Sequence, residues 1–280
     1  MNALIIGKSG QVAWELQQTC PEHIAAKAFG RDDIDITDPA SIEAIVSSLQ
    51  PTVIINAAAY TAVDKAESDK ENAYLINGTA VECLAKVAKH HGIRLIHIST
   101  DFVFDGSKNI PYTVNDIPNP INVYGASKLA GEQAIAKYCP DNSTIVRTSW
   151  VYSSHGNNFV KTMLRLMAEK DELNVVSDQI GSPTNAKGLA QFLWQLAEQE
   201  SLEPIYHYSD LGVASWYDFA IAIQEIAYDA GKLAAKIPVK PIPASKYPTP
   251  AKRPRYSLIG DHFHHGCLQQ HWTHSLKSVI

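Results

Sequence analysis

An apolar run, Ala3-Leu-Ile-Ile6, passes without a gap into the turn Gly7-Lys-Ser-Gly10-Gln-Val-Ala13, and a helical period then starts at Val12 and Leu16. A short β-rich segment that meets Gly-x-x-Gly-x-x-Ala and then a helix reads as strand, tight turn and helix. Glycines there let the backbone come close to a pyrophosphate. The helix N-terminus adds unpaired N–H groups and a favourable dipole. Gly7, Gly10, Gln11 and Val12 are therefore expected to bind a dinucleotide; the plainer alternative is an ordinary strand-to-helix turn. Ala13 stands at the third glycine position of the usual fingerprint, where alanine is tolerated if helix and strand pack closely.

The pattern continues in the same style. Strands are expected at 24–29, 52–55, 94–98 and 144–147, with helices from Asp38-Pro39, over 72–91 and over 123–138. Strands alternating with helices at these intervals imply βαβ units. The expected fold is α/β, a Rossmann-type doubly wound parallel sheet. Residues 1–150 would form the dinucleotide-binding domain. Residues 151–280 would form a smaller C-terminal substrate-binding lobe, interleaved with the end of the sheet. Helices at 158–167, 186–199 and 216–227, a strand at 173–176 and a proline-rich tract at 238–254 belong to that half. The tract carries Tyr247, Arg253 and Arg255, so an ordered substrate loop is preferred over a linker.

Ligands of such sheets bind beyond the carboxyl ends of the strands, and chemistry-bearing residues fall there. Strand two ends Phe29-Gly30-Arg31-Asp32. Arg31 suits a 2′-phosphate and favours NADPH, whereas Asp32 leaves NADH open. Asp35 and Ile36 follow where an adenine edge would lie. Small side chains at Ala57, Ala58 and Ala59 would let a ribose-nicotinamide segment pass close to the backbone. Ser99-Thr100-Asp101 ends the fourth strand, as a hydroxyl for a substrate carbonyl or simply as a turn. Tyr124 and Lys128 are one helical turn apart and share a face. A phenol titrates near pH 10, and a neighbouring ammonium is expected to lower that value and make the pair a proton donor to a carbonyl.

Charge and cysteine content narrow the class. The formal net charge is -5 and no basic tract appears, so nucleic-acid binding is not expected. The cysteines, Cys20, Cys83, Cys139 and Cys267, are scattered without a C-x-x-C pair, which reads as reduced thiols in a cytoplasmic protein. No signal-peptide pattern or membrane-length apolar stretch is read from the sequence, so no membrane partner is expected. The late histidines, His262, His264, His265, His271 and His274, fit no metal-ligand spacing, and no metal site is expected from them.

With these residues in place the sequence resembles the extended short-chain dehydrogenase/reductase superfamily, and within it the dTDP-4-dehydrorhamnose reductases. The motifs that carry the resemblance begin with the Gly7 turn, Asn56-Ala-Ala-Ala-Tyr-Thr-Ala-Val-Asp-Lys-Ala-Glu67, Ser99-Thr-Asp-Phe-Val-Phe104 and Asn122-Val-Tyr-Gly-Ala-Ser-Lys128. Arg147-Thr-Ser-Trp-Val-Tyr152, Asp178-Gln-Ile-Gly-Ser-Pro-Thr184 and Tyr247-Pro-Thr-Pro-Ala-Lys-Arg-Pro254 extend it across nearly the whole chain. The resemblance implies reduction of the C4 ketone of dTDP-4-dehydro-beta-L-rhamnose by NADPH. It gives Tyr124 the proton, Lys128 the nicotinamide ribose and Thr100 the ketone. It puts Asp101 and Trp150 against the sugar nucleotide, and Asn158 and Arg253 against its diphosphate. Some members hold Mg2+ at a dimer contact through glutamates. Glu15 matches one such position, but Lys187 stands where a further acid is needed, so Mg2+ is not expected and a homodimer is left open. Two rival readings remain: another nucleotide-sugar reductase or epimerase of the superfamily, and a non-catalytic regulatory subunit resembling the methionine adenosyltransferase β subunit.

Overall fold

β1 (Asn2–Ile6) is apolar on both sides, and successive residues of a strand point to opposite faces. Ala3 and Ile5 enter one core with Leu16, Leu189 and Leu193, whereas Leu4 and Ile6 enter another with Ile42, Val46, Leu84 and Ile135. A strand that needs cover on both faces needs helices on both faces. They follow in chain order. α1 (Gln11–Gln18), β2 (Ala25–Phe29), α2 (Pro39–Leu49) and β3 (Val53–Asn56) come first. Next are α3 (Val63–Ala66), α4 (Lys70–Tyr74), α5 (Ala80–His91), β4 (Arg94–Thr100), α6 (Val123–Tyr138) and β5 (Ser143–Thr148). This computed structural model describes residues 1–260 and 269–280. The expected positions of His262, His264, His265 and Cys267 lie outside the described residues.

The second half contains β6 (Val151–Tyr152), α7 (Phe159–Glu169), β7 (Leu173–Val176), β8 (Ile180–Gly181), β9 (Thr184–Asn185) and α8 (Ala186–Glu198). β10 (Ile205–Tyr208), β11 (Ala214–Ser215), α9 (Trp216–Asp229), β12 (Val239–Ile242) and α10 (Trp272–Lys277) complete it. The main sheet is six-stranded in the order β10-β5-β4-β3-β1-β2, and every pairing in it is parallel. α1 and α8 cover one face, and α2, α5 and α6 the other. The order reverses at β1, which lies between β2 and β3, so a crevice opens at the carboxyl end of that strand. A separate core around Tyr152, Met163, Phe219, Ile223, Trp272 and Leu276 holds α7, α9 and α10 together beside the sheet. No helix of the described residues is long and apolar enough to cross a membrane.

Three details differ from the sequence expectation. The helix expected over 72–91 is α4 and α5 joined by a π-helical turn, Leu75–Thr79. The wider turn serves Asn77, whose side chain accepts from Tyr60 N (2.9 Å) and donates to Tyr60 O and Ser127 Oγ. β10 was not foreseen; it pairs parallel with β5 from Ile205↔Ile145 to Tyr208↔Thr148 and closes the sheet from the second half of the chain. Within the proline-rich tract, β12 pairs parallel with β7 through Val239↔Leu173 and Ile242↔Val176.

α6 is fastened unusually tightly. A Cβ on Gly125 would stand 2.1 Å from Phe102 O, and one on Gly131 would stand 2.2 Å from Asn77 O, so neither position admits a side chain. Between α6 and the sheet lies a buried ion pair. Arg147 of β5 gives Nη2 (2.6 Å) and Nε (3.3 Å) to Glu132 Oε2, and Ser99 Oγ donates to Glu132 Oε1 (2.5 Å). Arg147 and Glu132 are 2% and 4% exposed, so water offers neither charge an alternative partner. Removing one member strands the other charge in the interior, which typically costs about 3–5 kcal/mol. Glu132→Gln should therefore lower the unfolding free energy by about that amount in urea titrations. A loss of only ~1 kcal/mol, the size expected of a surface pair, would show that this contact does not hold α6.

Candidate functional site

The crevice is a cavity of about 560 Å³ over the carboxyl ends of β1, β2, β3, β4 and β5. Its floor is the first turn. Gly7 has φ +109, and a Cβ there would meet Ala57 C and Ala58 N at 2.9 Å. The conformation is one that L side chains avoid, so both the backbone and the space require glycine. Gly7 N and Lys8 N donate to Phe29 O, which ties the turn to the end of β2, and Gly10 N donates to Gly7 O (2.9 Å). Gly10 is the N-cap of α1 and no side chain caps that helix. The N-terminal end of α1 is thus turned to the cavity with a positive dipole end, where an anion is favoured.

Most of the residues expected from the sequence line this one cavity. Gly7, Gly10, Gln11, Val12, Gly30, Arg31, Ile36, Ala57, Ala58 and Ala59 occur on its walls, with Thr100, Asp101, Tyr124, Lys128 and Trp150. Arg31 is exposed at the β2 end. Asp32 is not on the wall; it is Asp33 whose carboxylate folds back to accept from Gly30 N (2.8 Å), which holds its pKa below the usual carboxylate range.

Three expected residues fall elsewhere. Asp35 turns its carboxylate to Thr37 N and Oγ1 (2.9 and 2.7 Å) and does not reach the wall. Asn158 caps α7 by accepting from Lys161 N and gives its amide to Gln11 Oε1 and Ser153 O. Arg253 spends its guanidinium on Asp64, with Nη1–Oδ1 at 2.9 Å and Nη2–Oδ2 at 2.7 Å. This pairing anchors the proline-rich tract on α3. Glu15 is buried and accepts from Ser153 Oγ (2.6 Å). Conversely, Ser9, Thr61, Ser149, Gly156 and Asn157 line the cavity without having been singled out. The Gly156-Asn157-Asn158 run is visible in the sequence, but nothing in its pattern says that the loop after β6 returns to the first turn.

The chemistry-bearing end is set by β4 and α6. Thr100 ends β4, is buried, donates Oγ1–H to Asp101 Oδ1 (3.1 Å) and accepts from Phe102 N (3.2 Å). Asn122 caps α6 by accepting from Gly125 N (2.7 Å), which starts the helix just before Tyr124. Phe102 meets the Tyr124 ring edge-on, with centroids 5.8 Å apart. Burial pushes the Tyr124 phenol up to about 12; the Thr100 hydroxyl works against that and the Asp101 charge adds to it. This corrects the sequence expectation. Lys128 does share a face with Tyr124, yet its Nζ donates to Ile98 O (2.6 Å) and lies 3.2 Å from His97 Nε2. Desolvation thus dominates at the phenol, and it also brings Lys128 down to about 8.

At the far wall Trp150 has φ 45, an uncommon value for a bulky residue. It stacks on Trp216 with ring centroids 3.6 Å apart, and Gly181 must lack a side chain because a Cβ would stand 2.8 Å from the Trp150 ring. The indole is therefore a flat, fixed surface between the sheet and the second lobe, suited to a sugar face.

Asp101 is the most perturbed acid of the cavity, raised by burial to about 7 with Ser257 and Thr100 hydrogen bonds pulling it back. From about pH 4 to 7 the unfolded chain has lost this proton while the native chain keeps it, so stability falls as pH rises through that window. Asp101→Asn should flatten this dependence. The two proteins should unfold alike near pH 4, and the variant should be more stable above pH 7 by at most about 4 kcal/mol in urea titrations. Parallel pH dependences would contradict the buried acid.

The family model of the RmlD substrate binding domain matches residues 1–280. The dTDP-4-dehydrorhamnose reductase of Escherichia coli (strain K12) is 45% identical over 267 residues, covering 92% of this chain and 89% of that protein. The dTDP-4-dehydrorhamnose reductase of Sinorhizobium fredii is 43% identical over 265 residues, covering 92% and 88%. A crystal structure of dTDP-4-dehydrorhamnose reductase from Bacillus anthracis in complex with NADP superimposes with a TM-score of 0.93 at 38% identity, over 99% of this chain and 98% of that one. The UDP-glucose 4-epimerase of Thermus thermophilus, at 17% identity and a TM-score of 0.82, shares the fold.

Proposed function

This chain belongs to the RmlD substrate binding domain family, and from that membership we propose that it reduces the C4 ketone of dTDP-4-dehydro-beta-L-rhamnose to dTDP-beta-L-rhamnose with NADPH. The observation that carries the reading is that one cavity joins a dinucleotide turn to a Thr100–Tyr124–Lys128 set. The residues fit the cofactor: Gly7 leaves a cradle that a Cβ would fill, and α1 offers an uncapped N-terminus. Gly7, Gly10, Gln11 and Val12 would hold its diphosphate, Gly30, Arg31 and Ile36 the adenosine end, and Ala57, Ala58 and Ala59 the central part. Arg31 supports NADPH through its exposed guanidinium, and no carboxylate of the β2 end competes for that position on the cavity wall. Bound NADPH supplies the hydride; the chain supplies everything else. A nicotinamide-dependent synthesis of this kind implies the cytoplasm as its compartment.

Thr100 orients the ketone by turning its one hydroxyl hydrogen from Asp101 to the ketone oxygen, and Tyr124 protonates that oxygen as negative charge grows on it. A phenol held near 12 is fully protonated at neutral pH, so Tyr124 is loaded for reduction rather than for the reverse oxidation. Lys128 can give one N–H to the nicotinamide ribose while Ile98 O fixes its direction. Asp101 and the Trp150 face contact the sugar nucleotide, beside the loop of Gly156 and Asn157. Holding the nucleotide at that distance aligns the keto carbon, which is worth more to rate than to affinity.

Purified protein with the keto sugar nucleotide should oxidise NADPH, as followed by absorbance. Tyr124→Phe should lower turnover by about 10²–10⁴ while NADPH affinity stays within a few-fold. Undiminished turnover in that variant removes Tyr124 as the proton donor. NADPH binding without turnover by the unaltered chain would instead favour a regulatory subunit.

A further inference from the structure

Behind Lys128, on the side away from the cavity, three buried polar side chains form a line whose hydrogens can be counted. Asn56 Oδ1 accepts from Ala58 N (3.1 Å), and Asn56 Nδ2 lies 3.0 Å from His97 Nδ1. His97 Nε2 lies 3.2 Å from Lys128 Nζ. Asn56, His97 and Lys128 are 1%, 0% and 2% exposed, so water cannot repair a mismatch along the line. The backbone N–H of Ala58 can be met only by the amide oxygen, so the amide NH₂ must face His97. His97 Nδ1 is then an acceptor, and a neutral imidazole has one N–H, which must be at Nε2. That N–H points at Lys128.

We propose that His97, oriented by Asn56, donates Nε2–H to the amine of Lys128 and thereby sets when this lysine carries charge. An uncharged amine has a lone pair for that hydrogen and keeps N–H groups for Ile98 O and for the cavity. An ammonium has three donors and no acceptor, so it meets His97 donor to donor. Relieving that conflict requires the imidazole to move its proton to Nδ1 and the Asn56 amide to turn, which abandons Ala58 N. Ala57 and Ala58 belong to the cavity wall and pack against Gly7. The line thus couples the backbone at the end of β3 to the charge beside Tyr124. Burial acts in the same direction on both members, placing His97 well below the ordinary histidine range and Lys128 below the ordinary lysine range.

The other charged groups around Lys128 do not cancel this. Glu132, one turn further along α6, favours the ammonium, but its oxygens are already engaged by Arg147 of β5 and Ser99 of β4. Tyr124 precedes it by one turn on the same helix, and Asp101, beyond β4, acts on that phenol. His97 is a positioning residue here: it acts through Lys128 and does not line the cavity. The inference rests on the reductase reading only for its consequence in catalysis, since the hydrogen count holds without substrate.

The test uses the full chain with labelled histidine and lysine. In ¹⁵N NMR of the unaltered protein above pH 8, where Lys128 is uncharged, His97, assigned by loss of its signals in His97→Gln, should show a protonated Nε2 and an unprotonated Nδ1. A proton on Nδ1 overturns the proposal, and so does a charged ring. His97→Gln exchanges a neutral group for a neutral group and can present an amide oxygen to Lys128. The Lys128 titration, read from its ¹³Cε shift, should then rise by about one pH unit, a tenfold change in its ionisation constant. The limb of the kcat–pH profile that follows Lys128 should move with it. A midpoint that stays or falls contradicts the proposal, and if the variant does not fold, the tautomer of the unaltered protein still decides. An inactive protein with the expected tautomer and titration would count against the reductase reading alone.

Discussion

The buried pair of Glu132 and Arg147, with the Ser99 hydroxyl donating to Glu132 Oε1 beside Arg147 Nε, is the contact on which the arrangement of the site depends. It joins α6 to β5 and β4 at once. α6 carries Tyr124 and Lys128, β4 ends in Thr100, and β5 leads into Trp150. A shift of α6 along the sheet would move two of these groups relative to the other two. The helix also has little freedom to slide, because Gly125 and Gly131 bring its backbone against Phe102 O and Asn77 O. Arg147 also lies over the Phe104 ring, with Cζ 5.2 Å from its centroid. A buried ion pair is poor value for stability compared with apolar packing, but its directional hydrogen bonds define one register. Here that register sets how Tyr124 and Lys128 stand relative to Thr100 and Trp150.

Burial is the second theme, and it acts on charge more strongly than neighbouring charges do. The Tyr124 phenol, the Asp101 carboxyl and the Lys128 amine are all moved toward their neutral forms, to about 12, 7 and 8. Moving each group toward its neutral form lowers the cost of desolvating the end of the sheet. It also leaves the α1 N-terminus and Arg31 to receive the negative charge of a dinucleotide. The division is spatial: positive potential at the α1 end, proton donors where a ketone would be reduced.

Much of this was legible in the sequence, for identifiable reasons. β1 and the Gly7 turn are local: the strand is apolar on both faces and the turn needs glycine for its dihedral angle and its approach to Ala57. α6 begins where Asn122 caps it and runs over the expected 123–138. What could not be read depends on distant partners. Ile205-Tyr-His-Tyr208 contains alternating aromatic and polar residues that suit several structures; pairing with β5 makes it a strand. The π turn at Leu75–Thr79 answers to Tyr60 and Ser127, neither of them near in sequence. Arg253 looked like a phosphate ligand because an arginine in a loop has the right chemistry, and only the fold brings Asp64 to it. Likewise the four-residue spacing of Tyr124 and Lys128 gives their shared face, but their acidity follows from burial, which spacing does not encode.

The central claim is that this cavity joins a reduced nicotinamide to a keto sugar with Tyr124 as the acid. It is tested most directly by following the hydrogen itself. The purified chain would be given dTDP-4-dehydro-beta-L-rhamnose and NADPH deuterated at the transferring position of the nicotinamide, and the product identified by NMR. The account predicts dTDP-beta-L-rhamnose with deuterium on C4 and none acquired at that carbon from solvent. Recovery of unreduced keto sugar, or a product with C4 unlabelled, would contradict it.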